Sequence, residues 1–79
     1  MAAIQVKLTF PEDLIKSPVL AKIVRQFDVD PSIRRAAVEE HAGWLVCEIT
    51  GDPGDLDAAM TWLRGEGVHV DLLGDVLES

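Results

Sequence analysis

Cysteine is almost absent from this sequence, with Cys47 alone among 79 residues. A single thiol closes no disulfide within the chain and suits a reducing compartment. Nor does it hold an iron–sulfur cluster, which takes four thiolates as a rule. Histidine is sparse too: His41 and His69 lie far apart, so no zinc site with three or four ligands at recognisable spacing is expected. Long apolar runs are missing. Stretches such as Trp44-Leu45-Val46-Cys47 stop at four residues, and no membrane insertion is expected. The first residues, Met1-Ala2-Ala3-Ile4-Gln5-Val6-Lys7, have neither the basic start nor the apolar stretch of a signal peptide, so the expected location is cytoplasmic. Positive charge is the last scarcity. Seven Lys and Arg stand against 14 Asp and Glu, a net charge of −7, which argues against nucleic acid or anionic lipid as the main partner.

What remains is an ordinary folded composition, 48% hydrophobic and 27% charged, too apolar for a disordered chain. The length predicts one domain over residues 1–79, ordered over about 4–73, with no room for a deep active-site cleft. Ile4, Val6, Leu8 and Phe10 alternate with Gln5, Lys7 and Thr9, which predicts a half-buried strand closed by Pro11. Ser17-Pro18 reads as a helix start, Ser17 the N-cap and Pro18 the first helical residue. Leu20, Ile23, Val24 and Phe27 form its predicted buried stripe, and the helix ends near Phe27, before a loop over 28–32. Residues 33–40 predict a second strand at a sheet edge. There Arg34-Arg35-Ala36-Ala37 breaks the alternation and suggests a bulge.

His41-Ala42-Gly43 is the expected hairpin turn into a third strand over 44–50, with Leu45, Cys47 and Ile49 on one face. Asp52-Pro53 opens a second helix whose stripe is Leu56, Ala59, Met60 and Leu63, ended by Gly65 and Gly67. Val68, Val70 and Leu72 alternate with His69, Asp71 and Leu73 in a fourth strand, and 74–79 reads as a tail. The order β-α-β-β-α-β predicts an α+β, ferredoxin-like fold, a four-stranded antiparallel sheet with two helices on one face. The other face is left uncovered. Gln5, Lys7, Thr9, Trp44, Val46, Glu48, His69, Asp71 and Leu73 are placed there, and the apolar members among them suggest a contact surface.

The chain shows little chemistry. The alternation puts Cys47 on the helix side, where a thiol behaves as a small hydrophobe. Glu39-Glu40 and Asp52, Asp55 and Asp57 lie at a strand end and a helix start, not in a shielded pocket suited to acid–base work. No catalytic residue, metal or cofactor is expected. Arg34 and Arg35 are the one adjacent basic pair. Neighbours on a strand face opposite sides, so one is expected toward the open sheet, free to grip a carboxylate or to pair with an acid such as Glu39, Glu48 or Asp71.

The sequence also resembles the NIL domain family, the small ferredoxin-like domain at the C-terminus of methionine-importer ATPases, which also occurs alone and beside ferredoxin modules. The resemblance rests on Leu8-Thr9-Phe10, Pro18-Val19, Phe27-Asp28-Val29, Ser32 through Glu39, His41 through Val46, Ala58 through Leu63 and Gly67-Val68-His69-Val70. It implies a non-enzymatic regulatory or sensor domain that pairs with a second copy. The implied ligand is methionine or a related sulfur amino acid, bound around Ser32, Ile33, Arg34, Arg35 and Ala36 near the dimer contact. Ser32, Ile33 and Arg34 stand where the family carries its Asn-Ile-Leu motif. Trp44, Val46 and Val38 are the expected interface residues. The alternative is an interaction module that docks on a ferredoxin, a transporter-related protein or a sulfur-metabolism enzyme. The chain has no glycine-rich phosphate loop ending in Gly-Lys-Ser or Gly-Lys-Thr, so it is not itself an ATPase.

Overall fold

The computed structural model describes residues 1–76. Its elements are β1 (Ala2–Pro11), α1 (Val19–Gln26), β2 (Val29–Val38), β3 (Ala42–Gly51), α2 (Pro53–Gly65) and β4 (His69–Val76), with a 3-10 turn at Glu12–Leu14 between β1 and α1. The strands form one sheet in the order β2-β3-β1-β4, and every adjacent pair is antiparallel. This is the predicted ferredoxin-like α+β topology. Each βαβ crossover carries the chain over one strand position, which places β1 and β3 in the centre.

Period-two alternation builds the core. Val6, Leu8 and Phe10 of β1 and Cys47 and Ile49 of β3 turn to the helices and are buried, together with Val29 of β2 and Val70 of β4. From α2 come the four predicted residues, Leu56, Ala59, Met60 and Leu63, all buried. Burying one such aliphatic side chain stabilises by roughly 1.5–3 kcal/mol.

On α1 the buried line differs from the expected stripe. Val19 and Ile23 are buried, Leu20 and Phe27 pack partly against the core, and Val24 is 47% exposed. Helical residues four apart stand one above the other. Val19, Ile23 and Phe27 therefore form as regular a line as the predicted one, and the seating of the helix on the sheet selects it.

Several boundaries also shift. Ser17 does not cap α1 with its side chain; Pro18 occupies the N-cap, and the Ser17 backbone carbonyl accepts from the Val19 N–H at 2.8 Å. The loop predicted over 28–32 is strand from Val29 onward, because Val29 is drawn into the core and pairs with Gly51. Pro31 is tolerated there because an edge strand can spare a backbone donor. The hairpin turn comes earlier than expected: Ala42 is already in β3, and the Glu39 N–H donates to the Ala42 carbonyl at 2.7 Å. β4 continues past Leu73 to Val76 by pairing with Ala3, Ile4 and Gln5 of β1. The rest of the predicted tail, 77–79, lies outside the described residues.

Candidate functional site

The edge strand β2 carries the five residues expected to bind a ligand, and its geometry turns on one extra residue. Ile33 pairs with Cys47 and Arg35 with Val46, so Arg34 is left over as a bulge. The bulge restarts the alternation. The two arginines accordingly do not divide between the faces as strand neighbours would. Arg34 Nη2 lies 3.5 Å from Glu48 Oε2, and Glu48 belongs to the open face with Val46. Arg35 stands directly opposite Val46. Both arginines thus reach the open face, and Arg35 has no carboxylate within 4.0 Å among the described residues.

Cross-strand rows organise that face. One row runs Arg35, Val46, Lys7, Asp71, and the next runs Ala37, Trp44, Thr9, His69. Lys7 Nζ lies 5.1 Å from the Trp44 ring centroid, within cation–π range. His69 Nε2 is 3.2 Å from Asp71 Oδ1.

The opposite end of β2 borders a groove of about 240 Å³. Phe10 and Val19 are core residues beneath it, the half-buried Ile15, Leu20 and Leu45 flank it, and Ala36, Ala37, Val38, Gly43 and Trp44 close the strand side. Small residues leave the space. A Cβ added at Gly43 would already meet the Ala37 carbonyl oxygen at 3.5 Å and the Ile15 Cγ1 at 3.8 Å. Two polar features reach this apolar groove: Ser17, and the first turn of α1, which has neither a side-chain cap nor an acidic residue and so presents open N–H groups and the positive end of the helix dipole. At the far side, His41 Nδ1 of the hairpin turn lies 3.3 Å from Glu12 Oε2.

Of the expected ligand residues, Ala36 alone lines the groove, while Ser32, Ile33, Arg34 and Arg35 are exposed along β2 before it. Of the expected interface residues, Trp44 and Val38 border the groove and Val46 lies on the open face. Ile15, Ser17, Leu20 and Gly43 also line the groove, and the sequence pattern did not mark them as ligand residues. The run of small residues at Ala36-Ala37, followed across the hairpin by Gly43 opposite Val38, was the available signal. Cys47 is fully buried, and desolvation pushes its thiol up to about 11, so it is a core residue and not a nucleophile.

Residues 4–71 match the NIL domain family. This chain belongs to that family. Its relatives include the Methionine import ATP-binding protein MetN of Francisella tularensis subsp. holarctica, 37% identical over 73 residues, with 87% of this chain and 21% of that protein covered. The protein of the same name from Vibrio cholerae is 33% identical over 76 residues, covering 91% and 22%. The chain therefore spans about a fifth of the length of these relatives. Among solved structures, the C-terminal domain of an ABC transporter ATP-binding protein from Enterococcus faecalis superposes with a TM-score of 0.80 at 27% identity, covering 90% of this chain and 83% of that one.

Proposed function

We propose that this NIL domain is a non-enzymatic regulatory or sensor module, located in the cytoplasm and self-paired, that binds methionine or a related sulfur amino acid. The observation that carries this reading is the groove between the first turn of α1 and the ends of β2 and β3. At about 240 Å³ it falls below the roughly 300–1,000 Å³ of drug-sized sites, which suits one amino-acid side chain. Its apolar walls match a thioether chain, and the uncapped first turn of α1 offers N–H donors for a carboxylate. The relatives' role in methionine import supports this ligand class and a transporter-related partner.

The test is thermal. At methionine about 100-fold above its Kd, mass action adds about 2.7 kcal/mol. For a domain of this size that raises Tm by about 10 °C or more. Alanine, which lacks the apolar chain, should give a far smaller shift. Ala36→Leu, which fills the groove from the strand side, should remove the methionine shift while leaving the unliganded Tm within a few degrees. No shift with methionine or with other sulfur amino acids would refute the sensor reading.

A further inference from the structure

The geometry points to a second copy of this chain packed face to face on the open side of the sheet, about a twofold axis parallel to the strands, with Arg35 of each copy on Asp71 of the other. This rests on the self-pairing in the proposal above and names the surface that does it.

Charge is the first argument. The register places Lys7, Arg34 and Arg35 on the open face against Asp30, Glu48 and Asp71. Among the described residues these three cations and three anions cancel, so the face is neutral in a chain whose net charge is −7. Two copies of so acidic a protein repel one another through their other surfaces, and this face is the neutral one.

The second argument is the order of charges within a row. Reading from β2 to β4, the row Arg35, Val46, Lys7, Asp71 runs from a cation at one edge to an anion at the other. A twofold axis parallel to the strands and lying between β3 and β1 sets β2 of one copy over β4 of the other. Arg35 then meets Asp71, and Asp71 meets Arg35, the reciprocal pairing of an isologous interface. An in-plane axis across the strands would set Arg35 on Arg35 instead. Arg35, which has no carboxylate within 4.0 Å in its own chain among the described residues, is satisfied by the first arrangement and opposed by the second. In the middle of the face the Lys7 stem lies over Val46 of the second copy, while its ammonium keeps the Trp44 ring of its own chain.

Area is the third. Four strands at about 4.8 Å spacing and about 3.3 Å per residue present roughly 500–600 Å². Two such faces bury about 1,000–1,200 Å², the lower end for a specific dimer, so a dissociation constant in the micromolar range is expected.

Sedimentation of the whole chain up to about 1 mM tests this. Arg35→Asp and Asp71→Arg should each weaken association at least about tenfold, since each creates two like-charge pairs across the axis. An equimolar mixture of the two single variants should recover the wild-type dimer, because every crossing pair is then opposite in sign. A monomeric wild type overturns both the pairing and this face. A dimer that ignores both reversals, or a mixture that stays monomeric, overturns this face alone and leaves self-pairing to another surface. The methionine-induced Tm shift is read separately on each single variant, so the ligand reading stands or falls independently.

Discussion

Cys47 stands in the middle of the sheet, paired with Val6 on one side and Ile33 on the other, and it is fully buried. Alternation alone placed it on the helix side, because a period of two leaves no third choice once Leu45 and Ile49 are assigned. Its pKa carries a stability consequence. The folded thiol titrates at about 11, above its ordinary value of 9.0, so the unfolded chain loses this proton first as pH rises. The corresponding stability, about 2–3 kcal/mol by linkage, is fully present below pH 9 and is lost progressively as pH passes through 9 toward 11. The chain has no tyrosine to titrate in that window, and its lysines are common to any variant. Denaturant melts at pH 8 and pH 11 should show this loss in the wild type, and Cys47→Ala, though less stable overall, should show a smaller one. Equal slopes in the two proteins would contradict it. Val24 marks what alternation and periodicity cannot decide. Val19, Leu20, Ile23, Val24 and Phe27 crowd a short helix with apolar residues, and the way the helix lies on the sheet leaves Val24 exposed.

At the scale of elements, α2 was legible because its stripe, its Pro53 start and its glycine end all agree. β2 was less so. The broken alternation at Arg34-Arg35 signalled a bulge, but the consequence that both arginines reach the open face depends on the pairing with β3, a non-local fact. The early start of β2 depends on Gly51 in the same way. A Cβ at Gly51 would lie 2.9 Å from the Asp28 carbonyl oxygen and 3.1 Å from Val29 Cγ1, so the glycine allows β2 to leave α1 directly against β3. Gly51→Ala should therefore destabilise by about 1–3 kcal/mol through overpacking against backbone. Gly54, in the first turn of α2, has nothing within 4 Å of the added Cβ, and Gly54→Ala should stabilise by about 0.4–1 kcal/mol through the unfolded chain. Urea midpoints of the two variants check the pair, and a Gly51→Ala midpoint at or above that of the wild type would show that β2 has room to move.

For the molecule as a whole, the uncovered sheet face followed from the element order once crossover handedness was applied. The groove did not, since it exists only where the start of α1, the hairpin and two alanines leave a gap that no local pattern encodes. Charge acts at this scale too. Among the described residues the Arg34–Glu48 ion pair and the contacts of His41 and His69 with carboxylates are mostly exposed, the Arg34–Glu48 pair the least so, and such contacts contribute little. A net charge of −7 on 79 residues opposes the compact state over distances longer than those pairs. Salt shortens the reach of that repulsion from about 30 Å at 0.01 M to about 8 Å at 0.15 M. Raising NaCl over this range should raise Tm by about 2–4 °C, since about 1 kcal/mol moves a domain of this size by 4–8 °C and the repulsion is a fraction of that. Calorimetry at two protein concentrations separates this effect from self-association, which shifts Tm with concentration. A Tm that falls with salt at both concentrations would mean that the local pairs, and not the overall acidity, govern the stability of the fold.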